Sequence, residues 1–171
     1  MQLFREQGYA NTTVEQIAEA AEISPSTFFR YFPTKDAVVL SDDFDPVLVE
    51  RFRAQPAHLS AVQAARAAFS ETFAEVPPEQ MGVLAERNAL VLAEPELRAA
   101  FTDSMAGSGR LFASLLAERA GRRQDDPEVL ALAGAVIGIA VTTLLAGTAS
   151  MAEQLRLLEE GLGHLEHGFT I

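Results

Sequence analysis

Apolar positions recur at helical spacing along nearly the whole chain, and Gly and Pro punctuate the runs. No stretch alternates β-branched and polar residues as a strand would. Residues 1–7 read as two turns of helix ended by Gly8. Thr12 or Thr13 starts the next helix, each with a capping-box partner three residues on, Glu15 or Gln16. Val14, Ile17, Ala18 and Ala21 form its inner face. After the turn Glu22-Ile23-Ser24, Ser24 caps a helix with Pro25 at its first position. That helix runs to about Phe32 and is stopped by Pro33. Thr34 caps a further helix opening at Lys35, which Asp45-Pro46 either restarts or kinks. Longer helices follow at about 57–75, 79–93, 95–120, 126–149 and 151–168, bounded by Pro56, Pro77-Pro78, Pro95, Gly121 and Pro127. Their short connections predict an antiparallel bundle, so the fold class is all-α.

Composition narrows the function. The 171 residues make one ordinary domain, or a small one joined to a larger. At 49% apolar they bury a real core, and at 22% charged they are not a disordered tail. A net charge of −11 excludes a protein that wraps a polyanion over its whole surface; nucleic-acid contact has to be local. The lack of Cys excludes disulfides, thiolate metal sites and a Cys nucleophile, and fits the cytosol. Met1 to Arg5 does not follow a signal-peptide pattern, so the expected location is cytoplasmic. Val129 to Ala152 carries no charge and as a helix reaches roughly 36 Å, enough to span a bilayer. It is rich in Ala, Gly, Thr and Ser, has no aromatic residue at its ends and no basic flank. The expectation is therefore a fully buried bundle helix and no membrane partner.

Two short helices joined by a three-residue turn form a helix-turn-helix pattern. In the second helix Phe28 and Phe32 are one turn apart and face inward, onto Ile17, Ala21 and Ile23. The opposite arc carries Ser26, Thr27, Phe29, Arg30 and Tyr31. Hydroxyls, a guanidinium and two rings facing outward suit a DNA groove, with Arg30 placed for a bidentate contact to guanine. The plainer alternative packs Phe29 and Tyr31 locally and leaves contact to Arg30 and Lys35. Lys35 opens a helix whose N–H groups favour a phosphate, and Thr12-Thr13 offer a second such seat.

The run Gly8-Tyr9, Thr12-Thr13-Val14, Ile17-Ala18, Ala21, Ile23-Ser24, Thr27-Phe28-Phe29-Arg30-Tyr31-Phe32 and Lys35 closely resembles the tetracycline-repressor (TetR) family of bacterial transcription regulators. The resemblance covers about residues 1–40. It implies a helix-turn-helix DNA-binding domain at 1–40 and a ligand-binding and dimerisation domain at 41–171. It also implies that Thr12, Thr13, Ser26, Thr27, Phe29, Arg30, Tyr31 and Lys35 contact DNA. Two departures stand out. Glu22 occupies a turn position where the family commonly has Gly, and a left-handed backbone there costs a non-Gly residue roughly 1 kcal/mol. The family's first helix is usually longer and carries basic residues, whereas this sequence begins two turns before Gly8, with Leu3 and Phe4 covering the motif. Residues 1–40 hold Arg5, Arg30 and Lys35 against five acidic residues. Weakened DNA binding with a shallow salt slope is expected of the chain in this form.

Residues 41–171 carry a net charge of −9 and should avoid DNA. In the helix at 79–93, Met81, Leu84, Ala85, Asn88, Val91 and Leu92 share a face. Asn88 there is either an amide bonded to a neighbouring helix or an anchor for a ligand. Arg87 snorkels or faces the same cavity. Phe69, Phe73, Phe101, Met105 and Phe112 either line that cavity, which then suits an apolar or aromatic small-molecule effector, or are ordinary core. The helices at about 126–149 and 151–168 are the dimerisation candidates: Gly134-Ala135-Val136-Ile137-Gly138 permits close approach, and Leu144, Leu145, Leu155, Leu158, Leu162 and Leu165 supply apolar area. The resemblance implies a homodimer through a four-helix bundle there. His164 and His167 with Glu166 lack further ligands at metal spacing. No catalytic arrangement, phosphate-cradling loop or cofactor motif is present, so neither an enzyme nor a cofactor is expected. The expectation is a ligand-responsive, homodimeric repressor that an effector releases from its DNA operator. The alternative is a helical small-molecule-binding dimer without productive DNA binding.

Overall fold

The computed structural model describes residues 1–41, 44–147 and 150–168, and among them only helices and connecting turns occur. The first four are short: α1 (Gln2–Gln7), α2 (Val14–Ala20), α3 (Pro25–Tyr31) and α4 (Lys35–Leu40). Each start has a chemical reason. Thr13, not Thr12, caps α2: its hydroxyl accepts from the Gln16 N–H and the Gln16 side chain accepts from the Thr13 N–H. Ser24 caps α3 through the Thr27 N–H at 3.1 Å, with Pro25 at the first position. Thr34 caps α4 through the Ala37 N–H. In the turn between α2 and α3, Glu22 sits at φ 55, the left-handed backbone that its position in the motif implied.

The longer helices are α5 (Phe44–Ala54), α6 (Ala61–Ala74), α7 (Pro78–Ala93), α8 (Pro95–Ala120), α9 (Pro127–Leu145) and α10 (Met151–His167). Pro46 falls in the first turn of α5, where a missing N–H is tolerated. The helix expected from residue 57 begins at Ala61, because Ser60 and Gln63 form a second capping box. Residues 55–59 turn instead, and the Arg119 guanidinium donates to the carbonyls of Gln55 (3.2 Å), Pro56 and Leu59 (3.0 Å). Gly121, left-handed at φ 63, closes α8.

The expectation of a fully buried apolar helix needs correction. α9 is the one described helix long and apolar enough to cross a membrane, yet it ends at Leu145, and only 22% of it is buried. One face packs on α8 and α10. The other leaves Leu130 52% exposed, with Gly134, Thr142 and Leu145 exposed along the same side. Added methyl groups at Gly134 and Gly138 would meet open space, so these glycines do not mediate packing within the chain. Gly161 of α10 does: a Cβ there would lie 2.7 Å from the Ile139 side chain of α9. Residues 148–149, expected within this helix, lie outside the described residues.

Two apolar clusters hold the chain. The larger joins α5, α6, α8, α9 and α10 around Phe52, Ala68, Phe112, Leu116, Val136 and Leu162. The smaller sets Phe4, Tyr9 and Val39 of the N-terminal region against Val91, Leu97 and Leu144. The short helices are thus fastened to the long ones by shared core.

Candidate nucleic-acid interface and effector cavity

The α3 helix divides as its spacing dictates. Phe28 is buried to 1% exposure and touches the Phe32 ring at 5.6 Å. Ala21, expected beneath them, is exposed at the C-terminal end of α2. On the outer side Phe29 and Tyr31 are 52% and 67% exposed, and Ser26 and Arg30 are exposed beside them. The Arg30 guanidinium lies 5.1 Å from the centre of the Tyr31 ring. Ser24 Oγ lies 2.8 Å from Ser26 Oγ and 2.9 Å from the half-buried Thr27 Oγ1, so the hydroxyls form one small cluster at the start of the helix. Thr13 is exposed at the cap of α2.

Two expected DNA contacts are placed differently. Thr12 is 1% exposed; its hydroxyl donates to the Gly8 carbonyl at 2.7 Å and accepts from Gln7 Nε2 at 3.2 Å. It braces the turn between α1 and α2 and does not reach the surface. Lys35 turns back onto Tyr9: its ammonium donates to the Tyr9 carbonyl at 2.7 Å and lies 4.0 Å from the ring centre. Burial, with Asp36, Glu96 and Glu94 adding to it, pushes the Tyr9 phenol up to about 12. Lys35 therefore ties α4 to the α1–α2 turn rather than standing free at a helix end.

A partly enclosed cavity of about 190 Å³ lies within the long helices. Seven of the eight residues expected to face a ligand line it: Phe69, Phe73, Arg87, Asn88, Phe101, Met105 and Phe112. Met81 does not. It shares the Asn88 face of α7 but sits two turns away, roughly 10 Å along the axis, and lines a separate cavity with Arg66 and Arg156. Both alternatives for Asn88 describe it in part: its Nδ2 donates to Gln154 Oε1 of α10 at 2.9 Å, and the pair faces the cavity. Arg87 likewise faces the cavity while its Nη1 donates to the Ser41 carbonyl at 3.3 Å, at the end of α4. The sequence pattern offered no sign of Gln154, which lies on a half-polar stretch of α10, or of the Ser41 carbonyl, which is backbone. Elsewhere Glu166 is occupied by Gln63 at 2.9 Å and Arg66 at 3.1 Å; the amide, then the guanidinium, hold its carboxyl below the usual range.

The chain is similar to known proteins over most of its length. Residues 1–41 match the family of bacterial regulatory proteins described as the tetR family, and residues 59–170 match the MftR C-terminal domain. The HTH-type transcriptional regulator TcmR of Streptomyces glaucescens is 41% identical over 78 residues, covering 44% of this chain and 34% of TcmR. The putative mycofactocin biosynthesis transcriptional regulator MftR of Mycobacterium tuberculosis is 28% identical over 147 residues, covering 83% of this chain and 72% of that protein. The chain thus spans about a third of the first relative and nearly three-quarters of the second. Among solved structures, Thermus thermophilus FadR, a TetR-family repressor in complex with lauroyl-CoA, superposes with a TM-score of 0.55 at 23% identity, covering 100% of this chain and 91% of that one. The fold is shared, and the two matched segments together take in the helix-turn-helix and most of the cavity wall, with Leu48, Val49 and Phe52 of α5 lying between them. The chain belongs to the TetR family of bacterial transcriptional regulators.

Proposed function

We propose that the protein is a ligand-responsive transcriptional repressor that binds a DNA operator as a homodimer and lets go when a small apolar or aromatic effector fills the cavity. The observation that carries this reading is the exposed Ser26, Phe29, Arg30 and Tyr31 face of α3, since large rings held out in water beside a guanidinium suit a major groove. Residues 1–40 are the DNA-binding part and 41–171 the effector and dimerisation part, acting in the cytoplasm where the DNA is. Thr13 and Thr27 supply phosphate contacts and Arg30 reads a base. Lys35 acts through Tyr9 by positioning α4. The unpartnered stripe of α9, with α10 beside it, pairs with a second copy, which spaces two recognition helices by roughly one DNA turn of 34–36 Å.

Coupling runs through Arg87, which touches both the cavity and the end of α4. An effector that favours a different Arg87 position shifts the spacing of the two recognition helices away from the operator. The test is anisotropy of labelled duplexes, selected from random DNA by the protein itself, titrated against salt. A two-fold site bound in preference to scrambled DNA, with an affinity that falls as salt rises, supports the reading. Selection of no site would leave the second reading, a small-molecule-binding dimer without productive DNA contact, which the acidic balance of residues 1–40 favours.

A further inference from the structure

An engineered apolar cavity of about 150 Å³ accepts benzene; one of about 190 Å³ takes a ring with a short side arm. Most of the wall is aliphatic or aromatic, and no Asp or Glu is among the described residues that line it. One amide pair interrupts it. Asn88 of α7 donates from Nδ2 to Oε1 of Gln154 of α10 at 2.9 Å, and both residues line the cavity. That bond uses one N–H of Asn88 and one lone pair of Gln154, so each amide keeps both a donor and an acceptor. Neither side chain makes a further hydrogen bond among the described residues. Yet no polar side-chain atom among them is buried without a partner, so these groups open onto accessible space, and the cavity is the space that both residues face. The other polar residues of the wall offer less. Thr143 turns its hydroxyl onto the Ile139 and Ala140 carbonyls of its own helix. Arg87 is turned to the Ser41 carbonyl at the end of α4. Ser108 of α8 adds a single neutral hydroxyl.

We propose that the Asn88–Gln154 pair reads an uncharged head group that both donates and accepts, such as a primary amide or a hydroxyl, on an effector whose ring or branched body lies among the Phe side chains. The assignment rests on the effector-site reading above and adds the head group to it. An amide on the effector is matched reciprocally: its N–H donates to a side-chain oxygen of the pair, and its carbonyl accepts from a side-chain N–H. An ion brings a charge whose lost hydration two neutral amides do not replace in an apolar cavity. A hydrocarbon end leaves the pair's open donors and acceptors without partners once it displaces water from them. The pair also joins α7 to α10, a helix of the proposed dimer surface. A head group bound to both amides therefore acts on the separation of these two helices.

The experiment is calorimetric titration of the full chain with four compounds of nearly equal shape: hydrocinnamamide, hydrocinnamate, phenylpropylamine and propylbenzene. The amide should bind about tenfold or more tightly than either ion. Asn88→Leu should weaken the amide about tenfold while propylbenzene binds as before or more tightly, a split that mere loss of packing would not produce. Gln154→Met, close in shape, provides a second route and should give the same split. Circular dichroism and melting temperature establish that each variant is folded. An ion that binds the unaltered chain as tightly as the amide overturns the head-group assignment and leaves the cavity as an effector site. So does propylbenzene binding without the amide, or an amide affinity that both variants leave unchanged. Failure of all four compounds to bind overturns the effector-site reading, and this proposal with it.

Discussion

Glu22 holds a left-handed backbone that costs a residue with a Cβ roughly 1 kcal/mol. Replacing it with Gly should raise unfolding stability by about that amount in urea titrations, whereas Glu22→Ala, which removes the charge but keeps the Cβ, should not. This position was legible only through the family resemblance, which places Gly at that point of the turn. The outward face of α3 was legible from spacing: with Phe28 and Phe32 turned inward, Phe29, Arg30 and Tyr31 have nowhere else to go. Thr12 and Lys35 were not. Both have the chemistry of a phosphate contact, and both are consumed by local partners, Gly8 and Gln7 for one and Tyr9 for the other. Side-chain type states what a residue offers; only its surroundings decide whether the offer is taken up inside the protein.

Helix boundaries followed their caps. The Thr12-Thr13 pair, Ser24 and Thr34 announce their helices, but Ser60 does not, because Pro56 stands ahead of it as a plausible start. The α9 and α10 pair shows where periodicity runs out. A helix apolar on all sides does not reveal which side faces its own chain: Gly134 and Gly138, expected to permit close approach in a dimer, meet open space within the chain, while Gly161 makes the close contact with Ile139. Gly161→Ala should destabilise the chain by about 1–3 kcal/mol, since the new methyl forces Ile139 to move. Gly134→Ala should be nearly silent or mildly stabilising to the folded chain, because nothing stands in its way and Ala suits a helix better. Thermal melts of the two variants separate these positions. The exposed stripe carries its own prediction. Leu130→Glu should shift a dimer to monomer in analytical ultracentrifugation while leaving helical content intact, because a carboxylate in an apolar seam has no partner. A chain that stays dimeric with Glu at 130 would place the dimer surface elsewhere.

At the scale of the whole molecule, the small cluster of Phe4, Tyr9 and Val39 against Val91, Leu97 and Leu144 makes the motif and the bundle lean on one another. Such shared packing was not readable from spacing, because it joins residues far apart in the sequence. It also gives the proposed signal a short path: the cavity, Arg87, the Ser41 carbonyl and α4 are consecutive contacts. All of this has functional meaning only if α3 reads DNA. The most direct measurement compares the unaltered chain with Arg30→Ala by anisotropy on the selected two-fold duplex and on a scrambled one. The account predicts that Arg30→Ala loses about 1–3 kcal/mol on the selected duplex and little on the scrambled one, so that discrimination narrows. Equal affinity of both proteins for the selected duplex would contradict it.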